Sequence, residues 1–239
     1  MFDLIKMDKV SKISYKTYLN DRLKQVDFHG KLTYPLYIQL TFERKTIFFK
    51  SYYFELLSKP RYFLSVAGLS KSPSIEEVIA SENEVIDFII SKHGDDFSLE
   101  VFKQAYAYYS KDLCVVTENG FLDYLHTFFQ DKGMPSLATV IREGATLCSA
   151  YEVVRDLKMA FQKPLYDEMI ENALYYAPPY LPLYGFMVEI KKWPLLFLTS
   201  MEMERPETLS AFRDYIVKRY PGIAVEEVLK QVGKWPDYL

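Results

Sequence analysis

Apolar residues recur at every second position through residues 32–42 and at every third or fourth position from Ser74 onward. That change of period restricts the fold more than any other property of the chain. A period of two buries one side of an extended strand, and a period near 3.6 buries one side of a helix, so neither half of the sequence suits the geometry of the other. The pattern predicts an α+β protein, with a small antiparallel sheet near the N-terminus followed by a mainly helical body.

Leu32, Tyr34, Leu36, Ile38, Leu40 and Phe42 fall on one face of the first predicted strand, with Thr33, Pro35, Tyr37, Gln39, Thr41 and Glu43 on the other. Pro35 lacks an NH and moves the strand toward an edge. The charged Glu43-Arg44-Lys45 interrupts the pattern, and a second β-rich run through Ile47, Phe48, Phe49, Tyr52, Tyr53 and Phe54 predicts a hairpin. A lone hairpin is marginal, so residues 15–19 and 62–66 are candidate strands that complete a sheet.

Ser74-x-x-Glu77 is a capping-box pattern that opens a helix through Val78, Val85, Ile86 and Ile89, closed by His93-Gly94. Ser98 is placed to cap a second helix through Phe102 and Tyr109. A third carries the stripe Phe121, Leu122, Leu125, Phe128 and Phe129, and ends near Lys132-Gly133. Further helices are expected at 135–142, 145–161 and 164–176. The prolines at 178, 179 and 182 predict a loop at 177–182, and the apolar runs at 186–190 and 195–199 read as two short strands or as buried helix termini. Pro206 opens a further helix, and 225–232 forms the last.

Charge divides where the period changes. Up to Lys71 the chain carries thirteen Lys and Arg against six Asp and Glu, and the remainder carries sixteen against twenty-six. Two units are therefore expected: a small basic β-rich domain at 1–71 and an acidic, mainly α-helical domain at 72–239, with the possible short β element at 186–199. An imbalance of this kind points to a polyanionic partner for the basic end, or to docking of one half on the other.

Twenty Tyr and seventeen Phe are explained first by packing, because aromatic side chains bury large areas. Cys114 and Cys148 are too few for a disulfide framework or a four-ligand zinc site. With no basic-then-apolar leader at residues 1–6 and no apolar run approaching a membrane span, the expectation is a cytoplasmic protein without a membrane partner.

Catalytic and cofactor motifs find no footing. Asp123 and His126 share a helix face at i, i+3, but a metal site needs more ligands, so an ion pair or partly buried His is expected, and no metal. His29-Gly30 reads as a turn. The carboxylate pairs Glu76/Glu77, Asp95/Asp96, Glu202/Glu204 and Glu226/Glu227 occupy positions where helix N-termini and solvated faces place acids. No phosphate-binding glycine loop and no nucleophile elbow occurs, so no cofactor and no catalytic residue is assigned.

The basic N-terminal region is different, because its cations are interleaved with aromatics. Lys and Arg neutralise phosphates, and a β-ribbon with basic residues near its turn can enter a groove of duplex DNA. Arg44, Lys45, Lys50 and Arg61 are the candidate nucleic-acid-binding residues. Noncatalytic DNA binding is the leading function. The alternatives are a helical protein-interaction or structural module, in which the charge split is internal, and an enzyme of unrecognised type.

Tyr34-Pro35-Leu36-Tyr37-Ile38-Gln39-Leu40-Thr41, a charged turn, and then Phe49-Lys50-Ser51 resemble the arm-binding N-terminal region of bacterial tyrosine recombinases, the integrases of phages and transposons. In pattern, residues 75–131 resemble the SAM-like core-binding region that follows it. The resemblance implies a DNA-binding sheet and a link to a mobile element. It does not extend to the catalytic domain: no His-x-x-Arg motif is found, and Gln39 stands where the family commonly has Arg.

Overall fold

In a computed structural model that describes residues 12–66, 69–94, 96–145, 147–234 and 236, strands come first and helices follow, an α+β layout. β1 (Ser14–Leu19), β2 (Val26–Phe28), β3 (Lys31–Thr33), β4 (Leu36–Phe42) and β5 (Lys45–Lys50) precede α1 (Tyr52–Leu57). β1, β4 and β5 form an antiparallel sheet with β4 in the centre, while β2 and β3 pair with each other. The β4–β5 turn is two residues, Glu43 and Arg44, both at positive φ (49° and 64°). This is the hairpin geometry whose twist matches that of the strands it joins.

Alternation holds along β4, where Leu36, Ile38 and Leu40 are buried and Tyr37, Gln39 and Thr41 are half-buried. It does not extend back to Leu32 as expected. Pro35 removes a ladder donor and restricts Tyr34, so the chain breaks between β3 and β4 and Leu32 is 71% exposed. The second β-rich run also stops early, because Ser51 is a helix cap. Its Oγ accepts from Phe54 N at 3.0 Å, and Tyr52, Tyr53 and Phe54 belong to α1. Residues 62–66 do not join the main sheet either. Pro60–Tyr62 is a turn of 3₁₀ helix, and β6 (Leu64–Val66) pairs with β7 (Leu69–Lys71).

The helical part is α2 (Ile75–Lys92), α3 (Leu99–Tyr109), α4 (Leu113–Asp131), α5 (Pro135–Gly144), α6 (Ala150–Ala160), α7 (Lys163–Tyr176), α8 (Tyr180–Ile190), α9 (Ser200–Met203), α10 (Pro206–Arg219) and α11 (Val225–Gly233). The capping box at Ser74 and Glu77 and the cap at Ser98 form as their sequences dictate. The third helix begins at Leu113, upstream of its aromatic stripe, where Asp112 Oδ1 accepts from Cys114 N at 3.0 Å.

Two expectations near the C-terminus are corrected. The loop at 177–182 yields to helix at Tyr180, because Pro182 lies in the first turn, where a missing NH leaves no bond unmade. Residues 186–190 are the end of α8 rather than a strand. An unbroken apolar run reads equally as a buried strand or as a helix buried on all sides, and here every residue from Tyr180 to Met187 is buried. Residues 195–199 form no strand, although Thr199 makes an isolated bridge to Asp112.

Buried apolar side chains gather into two cores. One joins the sheet to α1, α2 and α3 through Ile38, Leu40, Leu57, Ile86 and Phe102, and includes Phe197 and Met201. The other unites α4 through α11 around Phe121, Phe129, Tyr180, Phe186 and Phe212. Packing therefore changes hands between Tyr109 and Leu113, downstream of the composition change at Lys71. Among the described residues no helix is long and apolar enough to cross a membrane.

Candidate nucleic-acid interface

The register of the three-stranded sheet sorts its side chains. Tyr15 faces Leu40, Thr17 faces Ile38, and Phe49 and Ile47 face Ile38 and Leu40, so these residues share the core side. The opposite side is built in three rows: Tyr18, Tyr37 and Lys50; Lys16, Gln39 and Phe48; Ser14, Thr41 and Thr46. None of these nine positions carries a carboxylate. Phe48 is 59% exposed, which is unusual for so large an apolar ring on a sheet with a well-filled core beneath it.

Polar groups under the sheet fix its orientation. Tyr15 donates to Asp87 Oδ1 and Thr17 to Asn83 Oδ1, each at 2.7 Å, which seats β1 on α2. Beside them the fully buried Glu82 accepts from the hydroxyls of Ser51 and Tyr106. Burial raises its carboxyl from an ordinary 4.5 to about 7, and those two hydrogen bonds restrain the rise. Tyr106 also accepts from Tyr52 N at 3.1 Å, so sheet, α1, α2 and α3 meet at one polar knot. The outer face is left as the side of the sheet that packs against none of these elements.

The four candidate cations do not all come together. Arg44 occupies the hairpin tip, exposed, and Lys45 follows it, exposed at the end of the sheet. Lys50 lies on the outer face itself, 3.6 Å from Glu55 in a solvent-exposed pair of little energetic weight. Arg61 stands apart. Its Nη1 donates to Glu118 Oε2 at 2.7 Å and its Nη2 to Ala145 O at 3.2 Å, with both charged side chains largely buried. It is an internal strut between the β-rich region and α4, one buried ion pair between the basic and the acidic part of the chain.

Sequence reasoning missed Lys16, Tyr18, Tyr37, Gln39 and Phe48 as members of one surface. The signal was present in the off-core parity of Tyr37, Gln39 and Thr41, but the pairing that brings β1 and β5 beside them had to be known. It also missed Glu82, although this residue falls in the apolar stripe Val78, Val85, Ile86 and Ile89.

Other constellations have structural occupations. A cleft of about 590 Å³ is lined by Lys59, Arg61, Glu118, Asn119, Asp123 and Arg142, but Arg61 pairs with Glu118 and Arg142 with Asp123 inside it. His126 contacts Gln130, and His29, in a turn at φ 56°, lies with Nε2 2.6 Å from Leu57 O. Glu77 and Glu202 complete capping boxes, Glu204 pairs with Lys92 and Glu226 with Arg213. Residues 1–6 and Asp95 lie outside the described residues. Among the described residues no three His, Cys, Asp or Glu side chains group as a metal site. Comparison of the chain with protein-family models, with curated proteins and with solved structures finds no match.

Proposed function

We propose that this protein binds nucleic acid, DNA in the first instance, through the outer face of the β1–β4–β5 sheet and the hairpin that ends it. The observation that carries the reading is the composition of that face: three aromatic rings, two lysines, four neutral polar residues and no carboxylate. An acidic chain with a formal charge of −3 that keeps one sheet surface free of acids has a surface suited to a polyanion. Lys16 and Lys50 reach phosphates from the face, Arg44 and Lys45 reach them from the tip, and Tyr18, Tyr37, Gln39 and Phe48 meet sugars and bases. Arg61, committed to Glu118, takes no part. Of the residues that resemble a recombinase arm-binding region, Leu36 to Thr41 lie on β4 and Phe49 and Lys50 on β5, while Tyr34, Pro35 and Ser51 fall outside the strands.

The test is binding of a fluorescent duplex carrying a single-stranded tail, titrated at several salt concentrations. Four phosphate contacts give a slope of log K against log salt of roughly −3 to −4. Lys16→Ala with Lys50→Ala should flatten it by about 2, at unchanged fold. No binding at low salt, or a slope indifferent to both substitutions, removes the proposal.

A further inference from the structure

Resting on that reading, we infer that the strand received by this face is unpaired, and that one of its bases enters a hollow at the β5 edge. Two independent observations carry this. The first is the spacing of the rings. Tyr37 on β4 and Phe48 on β5 lie one row apart, because Phe48 faces Gln39, and a row along a strand is about 7 Å. In a duplex successive nucleotides of one strand advance by about 3.4 Å and the bases are stacked on one another, so neither ring has a free base face to cover. In an unpaired strand the bases can be splayed apart and stacked on rings at the larger interval.

The second is the hollow beyond Phe48. β5 is the edge strand of the sheet, and between it and α3 lies a cavity of about 310 Å³ lined by Ile47, Phe48, Phe49, Phe102 and Tyr106, with Lys50 and Lys103 among its walls. The exposed ring of Phe48 and the half-buried rings of Phe49 and Tyr106 border it, Phe102 being fully buried. Its cations are ammonium groups on flexible stems, Lys50 beside Glu55 and Lys103 3.7 Å from Glu100 in solvent-exposed pairs. An unpaired base stacks on rings of this kind and its flanking phosphates meet the lysines, whereas a base held in a duplex must first be unpaired and unstacked to fill it. The face itself carries lysines rather than the planar Arg fork that reads paired guanine, so contact with the backbone is sequence-tolerant.

The experiment is fluorescence anisotropy with the full chain against oligo-dT of about 15 nucleotides and a blunt duplex of the same length. Oligo-dT should bind at least about tenfold more tightly. Phe48→Ala, which removes an exposed ring, should weaken oligo-dT binding by about 5- to 150-fold. Lys103→Glu tests the hollow separately, because Lys103 lies on α3 and outside the sheet face. It should weaken oligo-dT several-fold and leave residual duplex binding unchanged, with circular dichroism confirming the fold of both variants. A blunt duplex bound as tightly as oligo-dT, with Lys103→Glu silent, overturns this inference and leaves the proposed function standing. Failure of both probes to bind removes the two together.

Discussion

Glu82 should make this fold weaken as pH rises, opposite to the behaviour of a salt-bridged carboxylate. Its folded-state carboxyl titrates at about 7 instead of 4.5, because α2 buries it completely between Ser51 and Tyr106. The folded chain therefore keeps a proton that the unfolded chain has already released. Stability from this group is fully present below the unfolded value and is lost progressively between about pH 4.5 and pH 7. At 1.36 kcal/mol for each unit, the loss from low to mildly alkaline pH is about 3 kcal/mol, a substantial share of a typical domain's stability. Glu82→Gln mimics the protonated acid, since the amide oxygen accepts from one hydroxyl while the amide NH₂ donates to the other. Urea unfolding of wild type and variant at about pH 5 and about pH 8 reads the difference. The two should be similar at the lower pH, and the variant should be more stable by about 3 kcal/mol at the higher. Asp112, also fully buried and raised from 3.8 to about 7, adds a parallel slope to both proteins, so the quantity to follow is the difference between them. A variant that tracks the wild type across the range would show that Glu82 keeps its charge in the fold, and the reasoning would fail.

Arg61→Met should cost about 3 to 5 kcal/mol by the same unfolding measurement, because it strands the buried Glu118 carboxylate, and adding Glu118→Gln should restore most of the loss. Gly185→Ala should destabilise by about 1 to 3 kcal/mol, since the new Cβ would stand 2.2 Å from Tyr215 Oη across the α8–α10 contact, and an unchanged melting temperature would refute that account. Phe48→Ala should leave the unfolding midpoint within about 0.5 kcal/mol of wild type, because a ring that is 59% exposed contributes little to the core.

What the sequence disclosed follows from how local each signal is. The alternation of β4, the Ser74 capping box and the Ser98 cap are written within a few residues, and all three form as read. Ser51 is equally local, yet the aromatic run on both sides of it has strong strand propensity and concealed the cap. α8 was illegible for another reason. A helix buried on every side has no polar face, so periodicity does not distinguish it from a strand. The candidate interface was half visible: Arg44, Lys45 and Lys50 could be picked out by charge, whereas the partnership of Lys16 and Tyr18 with Tyr37 and Phe48 depends on strand order. The pairing of Arg61 could not be read, because its partner lies 57 residues downstream on α4 and no local pattern announces a contact at that range.

The Arg61–Glu118 strut has a mechanical consequence. Besides Arg61, Glu118 takes hydrogen bonds from Ala150 N at 2.9 Å and from Tyr180 Oη at 3.0 Å, and Tyr180 in turn accepts from Tyr151 N. One carboxylate thus ties the 3₁₀ turn after α1 to α4, to the first turn of α6 and to α8. A load applied to the 3₁₀ turn would therefore be shared by α4, the first turn of α6 and α8 through this one carboxylate. Glu118 shares the coupling of the two cores with the Lys92–Glu204 and Arg205–Glu84 pairs and with Asp112, which holds Leu198 N, so loss of its donors would loosen one tie among several.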